Sequence, residues 1–296
     1  MPVWWKAMGM NTSSGFRKIV LATDGSEQAE AAVDAAIAVS RGSSTEVRVV
    51  HVWNLEIHQR HGQWDVEVRS EARQLLDSTV ERFARAGVRA EGAILRADSD
   101  HVAAAVAIAA KNFGADLVVV GSRGLSNWQS MLKHSVSHQL LSAVDCPLLI
   151  VRGRTATVAP PQRVLLAVAG GDDIVPAARA AIAAASAPES LILVVHAAQL
   201  IVGEQGMVYA ETESEIQATI AQAIKLIEEA GISARAVVTH PGRIADVIAR
   251  VAETWNVDLI VTGSSRMGEL LGIVLGSVSR DVLHASTRPV LIASGS

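Results

Sequence analysis

The chain carries one order of elements twice, and a repeat of this length leaves few folds open. Lys18-Ile-Val-Leu-Ala-Thr23 is answered 145 residues later by Arg163-Val-Leu-Leu-Ala-Val168, and Val49-Val-His-Val52 at the same offset by Val194-Val-His-Ala197. Asp116-Leu-Val-Val-Val-Gly121-Ser is answered at an offset of 142 by Asp258-Leu-Ile-Val-Thr-Gly263-Ser. His134-Ser-Val-Ser137 and Cys146-Pro-Leu-Leu-Ile150 return at that second offset as Gly276-Ser-Val-Ser279 and Arg288-Pro-Val-Leu-Ile292. Each copy is therefore one domain of ordinary size, on the order of 140 residues.

Within a copy, short apolar runs alternate with helical patterns. The first copy reads as strands at 18–23, 46–53, 88–95, 117–121 and 148–152, with helices at 27–40, 64–86, 100–113 and 135–143. The second reads as strands at 163–168, 190–197, 232–238, 258–262 and 289–293, with helices at 174–186, 211–230, 243–255 and 277–285. The strands are apolar throughout rather than alternating, as when both faces of a sheet are covered. Gly87 and Gly231 each end a long helix, where a C-terminal cap belongs. The fold class expected is α/β: two tandem, doubly wound, five-stranded parallel-sheet domains at 17–152 and 163–296. The linker from Gly153 to Gln162, stiffened by Pro160-Pro161, is short enough to keep them side by side.

Composition narrows the function classes. Half the residues are apolar, only 3% are aromatic, and the net charge is −4, so no basic footprint for nucleic acid or an anionic bilayer is present. The single Cys146 excludes an internal disulfide and reads as a structural thiol in a reducing compartment. Met1–Gly15 lacks the apolar stretch of a secretory signal, and runs such as Ala103–Ala110 are too short to span a bilayer. A soluble, cytoplasmic protein is expected.

In an open parallel sheet the ligand crevice lies beyond the carboxyl ends of the strands, where the winding reverses. The first and fourth strands flank that point. Asp24-Gly25-Ser26 follows the first; Gly121-Ser-Arg-Gly124 follows the fourth and leads to Ser135 at a helix start. Glycines let backbone N–H groups approach an anion, and a helix N-terminus adds its own. A carboxylate across the crevice accepts hydrogen bonds from a ribose or base. The set describes a cradle for a phosphate and a nucleoside.

On these residues each half resembles a universal stress protein domain, and residues 17–295 resemble the tandem form of that family. Its nucleotide-binding members carry, after the fourth strand, a glycine, two residues, a second glycine, nine residues and a Gly-Ser/Thr pair. They also carry an Asp after the first strand and a Val following the second-strand His. By this resemblance the nucleotide-binding candidates are Asp24, Val52, Gly121, Gly124 and Ser135 in the first copy, and Gly263, Gly276 and Ser277 in the second. The copies depart from the pattern differently: His134 stands at the third glycine position, Arg266 at the second, Ala169 at the Asp and Ala197 at the Val. The resemblance implies ATP or a related adenine nucleotide as ligand, favouring the first copy. It also implies a stress-response role through a protein partner, and an intramolecular pairing of the copies through 148–152 and 289–293, with a homodimer left open.

Other residues read more plainly. His51 and His196 are strand-end histidines satisfied by backbone, Ser26 is a helix N-cap, and Asp98-Ser-Asp100 caps the third helix. Trp53, Trp64 and Trp128 serve packing before ligand cover. His134 and His138 share a helix face without a third ligand, so no metal site is expected. No ordered Ser/His/Asp set is present, so no catalytic residue is assigned. Three readings stand: a nucleotide-binding signalling module, a nucleotide-independent scaffold, and a slow ATP hydrolase using His134.

Overall fold

A computed structural model describes residues 15–40, 44–54, 65–122, 136–152, 159–169, 174–185, 189–196, 200–203, 206–209, 211–237, 239, 243–263 and 277–293. The first copy runs β1 (Lys18–Ala22), α1 (Glu27–Ser40), β2 (Glu46–Asn54), α2 (Asp65–Arg85), β3 (Arg89–Ala97), α3 (Val102–Phe113), β4 (Leu117–Ser122), α4 (Val136–Ala143) and β5 (Leu148–Arg152). The second runs β6 (Arg163–Val168), α5 (Ile174–Ala184), β7 (Leu191–His196), a hairpin of β8 (Leu200–Gly203) and β9 (Gly206–Tyr209), α6 (Glu213–Glu229), β10 (Ser233–Ala236), α7 (Ile244–Thr254), β11 (Leu259–Gly263), α8 (Ser277–Ala285) and β12 (Val290–Ala293). Every expected strand and helix is present. The hairpin is an addition.

The two copies build one sheet. Ten strands lie in the order β10-β7-β6-β11-β12-β5-β4-β1-β2-β3, all parallel within a copy. The antiparallel junction of this sheet is the seam of β5 with β12, where Leu149 faces Leu291, Leu148 faces Ile292 and Ile150 faces Val290. These are the strands from which an intramolecular pairing was expected. Because the seam is antiparallel, the carboxyl ends of the two copies open on opposite edges of the sheet.

Helices cover both faces, which is why the strands are apolar on both sides. One buried layer joins Ile19, Leu21, Leu76 and Phe83 under α1 and α2 to Leu166, Ala181 and Ile227 under α5 and α6. The other joins Val20, Val106 and Leu140 to Leu165, Ile248 and Val282, beneath α3, α4, α7 and α8. Both layers continue across the seam, so the cores of the two copies are continuous.

Local chemistry repeats with the sequence. Asp116 accepts the Arg17 and Lys18 amides at 2.8 and 2.9 Å, and Asp258 accepts those of Gln162 and Arg163 at 2.9 Å each. Each carboxylate ties the start of its copy's first strand to the start of the fourth. Burial raises the Asp116 carboxyl above its usual value, against the pull of those two amides. Gly87 and Gly231 stop α2 and α6 at φ of 75° and 80°, the left-handed conformation a glycine cap adopts.

One local expectation needs correction here. Asp98 makes no side-chain cap; it opens a short 3-10 turn, Ser99–His101, and His101 is the residue at the N-cap of α3. The Asp98 carboxylate instead lies 3.9 Å from His101 Nδ1.

Candidate functional site

The winding of the first copy reverses between β1 and β4, which are neighbours, with β2 beyond one and β5 beyond the other. The turn after β1 is held by its own side chains. Asp24 Oδ1 accepts the Ser26 amide at 3.0 Å, the Gly25 amide donates to Thr23 Oγ1 at 3.3 Å, and Ser26 Oγ accepts the Ala29 amide at 3.3 Å. Ser26 is thus the N-cap of α1, and Asp24 stands exposed at the tip of a fixed turn.

Beside this turn, β2 reaches further than β1. It pairs with β3 as far as Asn54, but its pairing with β1 ends at Val50, whose carbonyl accepts the Thr23 amide at 2.9 Å. Past that point the β1-facing edge of His51–Trp53 has no strand beside it among the described residues. Val52 turns its half-buried side chain to the α3 layer and its backbone lies on this edge. His51 Nδ1 sits 2.9 Å from the Thr23 carbonyl, the backbone satisfaction expected of it. Trp53 is buried with the Arg96 guanidinium 5.4 Å from its ring centre, so it packs in the core.

Gly121 has a reason to be glycine that sequence alone does not reveal. A Cβ there would lie 2.5 Å from the Gln28 carbonyl oxygen and 2.9 Å from the Ala29 nitrogen. Alanine is the commonest buried residue of α1, with Ala29, Ala32 and Ala36 among them, so the helix backbone comes down directly on the end of β4. The small residues bring α1 close, and Gly121 is where that closeness leaves no room. Gly124, Ser135, His134, Trp64 and Trp128 lie outside the described residues; α4 begins at Val136, directly after Ser135.

The second copy presents a different edge. Ala169 follows β6 and is exposed where Asp24 stands in the first copy. Gly263 ends β11, and its carbonyl accepts Ser279 Oγ at 2.8 Å, while Thr262 Oγ1 donates to Ser279 Oγ at 3.1 Å. These bonds fasten the first turn of α8, which opens at Ser277, to the end of β11. Gly276, Arg266 and Ala197 lie outside the described residues.

His196 departs from its expected backbone satisfaction. It is buried, neither ring nitrogen has a hydrogen-bond partner among the described residues, and Glu211 Oε2 lies 3.2 Å from Nε2 without hydrogen-bond alignment. Glu211 precedes Thr212, the N-cap of α6, whose capping box with Glu215 fixes the helix start. The pair therefore meets at the base of the β8–β9 hairpin. The hairpin's signal is present in the sequence: two short apolar runs around Gly203 and Gly206, two residues apart.

Cys146 is half-buried and burial pushes its thiol up to about 12, as befits an unreactive structural cysteine. Among the described residues no group of three His, Cys, Asp or Glu is placed to hold a metal ion, and no helix is long and apolar enough to cross a membrane.

His284, on the last turn of α8, carries a pH dependence. Burial holds its imidazole below the usual value, and the positive Arg152 adds to this against an opposing pull from Asp281. The unfolded chain then binds this proton more readily, so the group favours folding above about pH 6.5 and that contribution is lost as pH falls through the lowered value. Thermal melts between pH 7 and 5 are expected to fall less steeply for His284→Gln than for the wild type.

A parallel sheet wound both ways, with a fixed polar turn and a closely packed glycine across its reversal, defines a doubly wound α/β protein, a fold class whose ligands bind at such a reversal. The family model described as the universal stress protein family matches residues 15–152 and 161–294. The chain belongs to that family, in its two-domain form. A universal stress protein of Mycobacterium tuberculosis is 27% identical over 292 residues, covering 93% of this chain and 96% of the relative. One from Bacillus subtilis is 31% identical over 150 residues, covering 46% of this chain and 99% of the relative. The solved structure of a universal stress protein from Archaeoglobus fulgidus has the same fold, with a TM-score of 0.71 over 94% of this chain and 98% of that one, at 21% identity.

Proposed function

We propose that this protein binds ATP or a related adenine nucleotide in the crevice of its first copy, and that occupancy changes its contacts with a protein partner during stress. The observation that carries this reading is the placement of Asp24 on a fixed turn at the switch point, beside the open backbone edge at Val52 and across from Gly121. The edge offers main-chain groups to a base, Asp24 accepts from a ribose, and the segment after Gly121 ends at the start of α4, a helix N-terminus suited to phosphate. Gly263, Gly276 and Ser277 are the corresponding phosphate-side residues of the second copy, which has Ala169 in place of the carboxylate. Binding there is weaker. The domains are taken as 17–152 and 163–296, and a reducing cytoplasm suits the single thiol.

Adding millimolar ATP is expected to raise the melting temperature, since ligand at about 100 times its Kd stabilises by about 2.7 kcal/mol. Asp24→Ala should abolish the shift. Asp24→Asn keeps an acceptor for the Ser26 amide, so it separates loss of the ligand from loss of the turn. No shift in the wild type at millimolar ATP overturns the reading and leaves the scaffold reading, which the exposed Ala169 favours for the second copy.

A further inference from the structure

α8 connects the two edges of the sheet. It starts beside Gly263, at the crevice edge of the second copy, and ends at the opposite edge, where the strands of the first copy have their carboxyl ends. The first turn is fastened by Ser279 to Gly263 and Thr262. The last turn is fastened by the other copy. Arg152, the final residue of β5, donates through Nη1 to the Leu283 carbonyl, with the His284 and Ser286 carbonyls each 3.4 Å away.

Leu283 and His284 lie in the last turn of α8 and Ser286 just past it, where a glycine cap or a cation ordinarily sits. No glycine follows α8: the chain continues Ser286-Thr-Arg-Pro289. These contacts hold the half-buried guanidinium among the carbonyls, and burial pulls its pKa below the usual value. Its backbone lies in register with Ser122, and its neighbour Val151 with Gly121. The residue that holds the end of α8 thus sits on the strand beside β4, level with the end where Gly121 lies. In the sequence the position matching Arg152 in the second copy is Ser294, which carries no cation.

We propose that Arg152 is a positioning residue joining the two crevices: it holds the far end of α8 from the first copy, so occupancy of the first crevice alters the helix that opens the second. The proposal rests on the nucleotide reading above. The physical link runs from Gly121 through the β4–β5 register to Arg152, and from Arg152 along α8 towards its start. By linkage the second crevice acts on the first by the same factor.

Hydrogen exchange on the full chain, with ATP as the probe, tests it. In the wild type ATP is expected to slow exchange in the peptide following Gly121 and, about fivefold or more, in 277–285. Arg152→Met keeps the stem and loses the donors; ATP should still protect the first crevice but no longer α8. Arg152→Lys retains one donor and should restore part of the effect, and it serves as the readable variant if Arg152→Met folds poorly. Asp24→Asn should remove both protections, which separates transmitted protection from direct binding at the second crevice. Protection of the first crevice with α8 unmoved, or α8 protection that survives Arg152→Met or Asp24→Asn, overturns the coupling while leaving the nucleotide reading intact. Protection nowhere in the wild type overturns the nucleotide reading, and the coupling with it.

Discussion

Gly121→Ala is expected to lower the melting temperature by about 5–10 °C without any ligand present. The added Cβ meets the Gln28 carbonyl oxygen at 2.5 Å, and that atom belongs to the first turn of α1 rather than to a side chain that can swing away. Forcing even one methyl into a closely packed interior costs about 1–3 kcal/mol, more when backbone must move, and 1 kcal/mol is worth about 2–4 °C at this size. Gly87→Ala provides the contrast. Gly87 has a φ of 75° and nothing within 4 Å of an added methyl, so only the conformational cost of about 1 kcal/mol applies. Equal melting temperatures for the two variants would mean that α1 does not rest on β4.

The second large effect concerns the seam. Leu149 and Leu291 face each other across β5 and β12, and each is 1% exposed. Truncating either to alanine is expected to cost about 2–5 kcal/mol, the range for a buried leucine leaving a cavity. The double variant should cost less or more than the sum by at least about 0.5 kcal/mol, because the two side chains share one packing site. Denaturation should follow a single transition in the wild type, since both apolar layers run unbroken beneath the seam. Two separated transitions, with each leucine affecting only one, would show that the copies fold independently.

Much of this architecture is legible in the residues, and the reasons differ by element. β5, β6, α1 and α8 have the bounds that their patterns predict, because continuous apolar runs and Ala-rich helical spacing have few competing readings. The strand expected at 232–238 is only Ser233–Ala236, paired with β7 at one outer edge of the sheet. The hairpin after β7 leaves only a faint signal in the sequence, because its runs are four residues each and stand out little from a loop. Of the candidate site, the turn at Asp24 is readable from turn chemistry. The steric reason for Gly121 is not, because it depends on how far α1 descends. Arg152 and the His196–Glu211 contact are invisible for a similar reason: each joins residues that only the merged sheet or the hairpin brings together.

The antiparallel seam also decides how this molecule can grow. A sheet ordinarily extends by adding a strand to a bare margin, and β5 and β12 would each be such a margin in a separate copy. Here each occupies the other. The remaining margins are β3, which carries exposed Arg89, Glu91 and Arg96, and β10, which is four residues long with Arg235 exposed. Short length and outward charge are the devices by which sheets refuse further strands. The duplication thus closes the two margins through which separate copies would otherwise pair.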